Sequence, residues 1–120
     1  MNILIIDGQG GKLGAGLVAA AKENYPQATV TAVGTNAIAT AAMRKAGADQ
    51  GATGENPVVV ACRSADIIVG PIGILVADAM LGEITPAMAN AVAQSNAYKV
   101  LLPVNKCNHF IVGVRDDSMS

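Results

Sequence analysis

An α/β fold of doubly wound type, three layers built on a mostly parallel sheet of five to six strands, is what this sequence predicts. Three observations lead there. Short β-branched runs alternate with segments of helical periodicity nearly throughout the chain. The first of those runs is apolar without interruption, as a strand buried between two helical layers must be. Most runs also close on a glycine or another small or polar residue, where a parallel strand hands over to its helix.

The elements follow in order. Residues 3–7 (Ile-Leu-Ile-Ile-Asp) form a first buried strand that ends in glycines. Leu13, Leu17, Ala20 and Ala21 then recur at helical spacing, and Pro26 stops that helix. Residues 29–33 make a second strand closing on Gly34, and Asn36 is placed to cap a helix running to about Ala46, with Gly47 as its terminal glycine. Residues 48–54 have room for a short edge strand. Asn56 before Pro57 reads as a cap followed by a first-turn proline, opening a helix to about Arg63, although the Val58-Val59-Val60 run prefers strand. Residues 66–69 form the next strand, ending at Gly70. Thr85-Pro86 opens a further helix with Met88, Ala89 and Val92 on one face. Residues 99–104 and 109–114 supply the last two strands, before a polar tail at 116–120. No internal repeat, low-complexity tract or linker interrupts the series, so residues 1–120 read as one domain.

Composition narrows the class of partner. The chain has 120 residues, enough to bury roughly two-thirds of its unfolded surface. Apolar residues make up 52% and charged residues 14%, against about 25% charged in an ordinary domain. So thin a charged surface suggests apolar area hidden in a homo-oligomer. A net charge of −1, scattered basic residues and only three aromatic side chains (Tyr25, Tyr98, Phe110) argue against nucleic acid. The greasiest stretch, residues 72–81, contains Asp78 and is too short for a membrane span, and residues 1–6 are too short for a signal peptide. It reads as an oligomer contact or the wall of an apolar pocket, with a core helix as the plainer option. Cys62 and Cys107 read as reduced thiols, Cys62 in the core, and the expected compartment is the cytoplasm.

The chemistry is concentrated in the first turn. Gly8, Gly11 and Gly14 give a Gly-x-x-Gly-x-x-Gly spacing, and Gly8 with Gly10 gives the start of Gly-x-Gly-x-x-Gly. In such a Rossmann-like turn the first glycine allows a tight bend, the middle ones let backbone N–H groups approach a phosphate, and the last lets helix and strand pack closely. The opening of the helix then favours an anion. The plainer option is a tight strand–helix junction with no ligand. Gly8, Gln9, Gly10, Gly11, Lys12 and Gly14 are therefore the expected phosphate contacts. Thr35 and Asn36 would meet a sugar or its substituent, and Gly70, Gly73 and Asn105 would form the opposite wall, because the carboxyl ends of parallel strands line the ligand crevice. An acidic residue is missing after the second strand, where a domain preferring NAD holds its ribose hydroxyls. With Lys12 and Arg44 near, NADP or another phosphate compound fits that gap better. The chain also ends where a dehydrogenase would begin a substrate domain.

Other reactive residues carry less. Asp7 reads first as a cap for the turn and second as a general base. Cys107 and His109, two apart, are too few for a zinc site, so no metal is expected. A thiol at Cys107 activated by Lys106, with His109 nearby, is the alternative that would make this a small enzyme. Glu55 and Glu83 stand in loops without a capping role and are further candidates for ligand contact.

Over its whole length the chain resembles a bacterial family of small proteins of unknown function. The resemblance rests on Ile6-Asp7-Gly8-Gln9-Gly10-Gly11, Gly34-Thr35-Asn36, Ala46-Gly47-Ala48-Asp49, Gly51-Ala52-Thr53-Gly54-Glu55-Asn56, Gly70-Pro71-Ile72-Gly73, Met80-Leu81-Gly82-Glu83-Ile84-Thr85-Pro86 and Asn105-Lys106-Cys107-Asn108. It implies no activity. The first 35 residues or so also resemble the nucleotide-binding turn of atypical short-chain dehydrogenases. Their Tyr with a Lys four residues on is absent, since Tyr25 is followed there by Thr29 and Tyr98 by Leu102. No Gly-Lys-Ser/Thr follows the turn, which excludes a P-loop enzyme. The expectation is a domain that binds a nucleotide or phosphorylated metabolite. Its alternatives are a small enzyme acting on that ligand and an oligomeric structural or regulatory protein without one.

Overall fold

The computed structural model describes residues 1–104 and 110–114. Among these residues five strands, β1 (Asn2–Asp7), β2 (Thr29–Gly34), β3 (Gln50–Thr53), β4 (Ile67–Pro71) and β5 (Tyr98–Leu102), form one sheet, all parallel, in the order β3-β2-β1-β4-β5. Four helices connect them: α1 (Lys12–Asn24), α2 (Ala37–Lys45), α3 (Glu55–Ser64) and α4 (Pro86–Gln94). The chain winds outward from β1 through β2 to β3, then returns to the other side of β1. The order therefore reverses between β1 and β4, the place where doubly wound sheets open toward a ligand.

Alternation along β1 divides the core in two. Ile3 and Ile5 pack with Val18 of α1, Ala39 and Met43 of α2, and Val30 and Ala32 of β2. Leu4 and Ile6 point the other way, onto Val58 and Cys62 of α3 and Met88, Ala89 and Val92 of α4. A run of four aliphatic residues satisfies both faces because each face has its own helical layer.

The helix ends show which sequence signals carried weight. Asn36 caps α2, its side chain accepting from the Ala39 amide at 2.9 Å, and Thr85 caps α4 through the Met88 amide at 3.1 Å, with Pro86 in the first turn. Asn56 does not cap α3. The cap is Gly54, at φ 109°, and Asn56 lies inside the first turn, so the helix starts earlier than the Asn-Pro pair suggests. The three valines are helical because α3 must carry the chain from β3 to β4, and Val58 is fully buried as it does so. Residues 48–54 do contain the edge strand, β3. The strand expected at 109–114 does not form at residues 110–114, which are irregular, with a turn at Val112 and Gly113 (φ 87°) that breaks the β-branched run.

Residues 72–84 cross the carboxyl end of the sheet. A 3₁₀ turn at Ile72–Leu75 is followed by a loop closed on itself: the Asp78 amide donates to the Ile84 carbonyl at 2.7 Å, and the Ile84 amide to the Ala79 carbonyl at 3.1 Å. Ile74, Ala79, Met80 and Ile84 are buried in the α3/α4 core, whereas Leu81 is 99% exposed. The greasy segment is thus core at Ile74, Ala79 and Met80 but surface at Val76, Asp78 and Leu81, without the regular helix that would be the plainer option. Among the described residues no helix is long and apolar enough to cross a membrane.

Candidate functional site

The glycine turn lies where the sequence puts it, between β1 and α1. Gly11 occupies the cap position of α1 at φ 75°, and a Cβ there would stand 2.6 Å from the Ala39 backbone. A side chain would be strained twice, by conformation and by the approach of α2. Gly14 packs against Asp7 and Met43, and Gly8 lies beneath Thr35, Glu83 and Met80. Gly10 faces open space. Three of the four glycines thus serve packing, and only Gly10 is left bare.

Because Gly11 has no side chain, another residue must cap α1. Asp7 does so: its carboxylate, 5% exposed, accepts from the Gly14 amide at 2.6 Å. Burial pushes its pKa above the ordinary 3.8, against the pull of the Gly14 and Gly8 amides. The capping option for Asp7 is the one the geometry displays. The amides of Gly10, Lys12 and Leu13 have no acceptor among the described residues, and the Lys12 side chain stands exposed at the first helical position.

Thr35 and Asn36 come to the same place from the end of β2, and they meet a carboxylate there. One oxygen of Glu83, Oε1, accepts from the Gln9 amide at 2.7 Å, from Thr35 Oγ1 at 2.5 Å and from Asn36 Nδ2 at 3.2 Å. Asn36 Nδ2 also donates to the Gln9 carbonyl at 3.0 Å. Desolvation alone would raise the Glu83 pKa, but the bonds from Gln9, Thr35 and Asn36 outweigh it and hold the carboxyl below its ordinary value. Gln9 itself takes a left-handed conformation, φ 51°, to present its amide. Glu83 is the residue the sequence undervalued. Its signal was faint: an acid following Leu81-Gly82 at the end of an apolar stretch, with no helix to cap.

The remaining expected residues are less well placed. Gly70 closes the β1/β4 switch point instead of opening it, since a Cβ there would lie 2.5 Å from the Ile6 carbonyl and 3.0 Å from Ile74. Gly73 is buried in the 3₁₀ turn beside it. Arg44 is drawn away, packing against Gly51 and reaching the Asp49 carbonyl at 3.4 Å. Asn105, Lys106, Cys107 and His109 lie outside the described residues, as do the thiol and its basic neighbours in the enzyme alternative. Cys62 is a buried core thiol, pushed up to about 11 by burial against the opposing pull of Lys99. Glu55 begins α3, far in sequence from the other acid and without a bond to the turn among those observed. Among the described residues no three His, Cys, Asp or Glu side chains gather as a metal site.

Beside Glu83 lies an open hollow of about 640 Å³ lined by Gln9, Asn36, Ala37, Ile38, Leu81 and Glu83. Its walls are the exposed apolar side chains of Ile38 and Leu81.

Fold and turn together define a doubly wound α/β protein with a polar cluster at the carboxyl ends of β1 and β2. The chain belongs to the family described as domain of unknown function DUF3842, whose model matches residues 2–120. Neither the curated proteins nor the solved structures gave a match.

Proposed function

We propose that this chain is a nucleotide- or phosphometabolite-binding domain that takes its ligand's phosphate at the glycine turn. One observation carries the reading. The amides of Gly10, Lys12 and Leu13 are left without a protein acceptor at the start of α1, where Asp7 caps the Gly14 amide alone of that helix's first three. Such amides, the helix dipole and the exposed Lys12 favour an anion. A second reading, an oligomeric scaffold without ligand, draws support from Glu83, which already occupies the Gln9 amide, and from Met80 over Gly8.

Gly10 separates the two. A Cβ at Gly10 meets nothing, so Gly10→Val keeps the fold while placing a branched side chain where a phosphate would approach. In a melting experiment with ADP and with inorganic pyrophosphate, saturating ligand at a hundred times its dissociation constant stabilises wild type by about 2.7 kcal/mol. Gly10→Val melts at the wild-type temperature without ligand and loses the shift. Absence of any shift in wild type favours the scaffold.

A further inference from the structure

We infer that Glu83 is the ribose-binding acid of the site, and that the hollow beside it takes a nucleoside with free ribose hydroxyls in preference to a 2′-phosphorylated one. The inference rests on the phosphate reading above and adds to it the class of ligand.

Doubly wound nucleotide domains hold the ribose hydroxyls with an acidic side chain at the end of the second strand. Here that strand ends in Gly34-Thr35-Asn36 and supplies none. The structure brings one from elsewhere. Glu83 reaches across from the loop before α4, and its Oε1 is fixed by one donor from the glycine turn and two from the residues that follow β2. The carboxylate therefore stands beside the end of β2, bonded to the two residues that follow that strand. Its other oxygen, Oε2, has no hydrogen bond among the described residues and is left to accept from a ligand.

The surroundings suit a nucleoside. The hollow is open to solvent, with space of about 640 Å³. Ile38, 72% exposed, and Leu81, 99% exposed, are large apolar side chains with nothing yet to cover them, and both line it. Apolar side chains of this kind can flank the faces of a planar base. Polar groups from Gln9, Asn36 and Glu83 meet the same space. The loop that presents Glu83 is also bound to itself, with the Gly82 amide donating to the Asp78 carbonyl and the Glu83 amide to the Met80 carbonyl, each at 3.1 Å. Thr35 and Asn36, which sequence alone would assign to a sugar or its substituent, are already engaged with the carboxylate. A 2′-phosphate would instead meet a negative charge.

Calorimetric titration of wild type and of Glu83→Gln with NAD, NADP and inorganic pyrophosphate tests this. Wild type binds NAD about tenfold or more tightly than NADP, because like charges are opposed in the second case. Glu83→Gln weakens NAD and brings the two affinities within about threefold, since the amide neither repels the phosphate nor accepts as strongly from a hydroxyl. Pyrophosphate, which has no ribose, does not show the loss of affinity in Glu83→Gln that NAD shows. Wild type binding NADP as tightly as NAD overturns the inference, and this outcome needs no variant to fold. So does tighter binding of all three compounds by Glu83→Gln, which would make the carboxylate a plug. In both cases pyrophosphate binding leaves the phosphate reading standing. If wild type binds none of the three, both fall.

Discussion

Glu83 and Asp7 are two carboxylates bonded to amides of the same glycine turn, with opposite titration behaviour. Glu83, held below its ordinary value of 4.5, contributes stability that is complete above 4.5 and lost as the pH falls through its folded value. Asp7, raised from 3.8, runs the other way: its contribution is present below 3.8 and lost as the pH rises through the folded value. The melting temperature of wild type should therefore exceed that of Glu83→Gln most at neutral pH, and the gap should close as the pH falls below 4.5. A gap that widens in acid would contradict the assigned bonds. Removing the α1 cap is a separate matter: Asp7→Ala should cost about 1–2 kcal/mol in urea denaturation, the usual price of a lost capping side chain. At this scale the sequence was partly legible. Asn36 and Thr85 announced themselves as caps because a cap is a local bond three residues long. Glu83 did not, because its partners lie 47 to 74 residues away and come together only through the fold.

The junction of β1 with α1 and α2 makes its own prediction. Gly11→Ala should cost about 2–4 kcal/mol, from left-handed strain and collision with α2, while Gly10→Ala should change stability by about 0.5 kcal/mol or less. Chemical denaturation of the pair measures the difference between a packing glycine and a bare one. The loop at 78–82 holds three non-glycine residues in the left-handed region, Asp78, Met80 and Leu81 at φ 66°, 59° and 56°. Leu81 is exposed and loses no packing on truncation, so Leu81→Gly should stabilise the protein by about 0.5–1 kcal/mol through relief of that strain. A loss in the same assay would mean that Leu81 is covered in solution. Elements were the most legible level. The uninterrupted burial of Ile3–Asp7 in β1 and the proline and glycine punctuation around α1, α2 and α4 survive into the structure. The helix expected after Asn56-Pro57 forms despite the strand preference of Val58-Val59-Val60, because the crossover from β3 to β4 requires it, whereas the turn at Gly113 undoes the strand expected at the end of the chain.

For the whole molecule, the alternation of apolar runs gave the parallel sheet and its two helical layers, because a doubly wound sheet is the arrangement that buries both faces of each central strand. It could not reveal that residues 72–84 fold back over the carboxyl end of the sheet and set Ile74 against Gly70 at the β1/β4 switch point. Sparse charge and the exposed Tyr98 and Val100 of edge strand β5 lead us to expect a homo-oligomer. Sedimentation velocity should give a multiple of the monomer mass, and a monomer at every concentration would refute it. The central claim concerns three backbone amides, and amide-resolved NMR during a pyrophosphate titration addresses it most directly. Saturable shifts at Gly10, Lys12 and Leu13, larger than those elsewhere in α1, are the predicted result. Saturation with those three resonances unmoved would contradict the account.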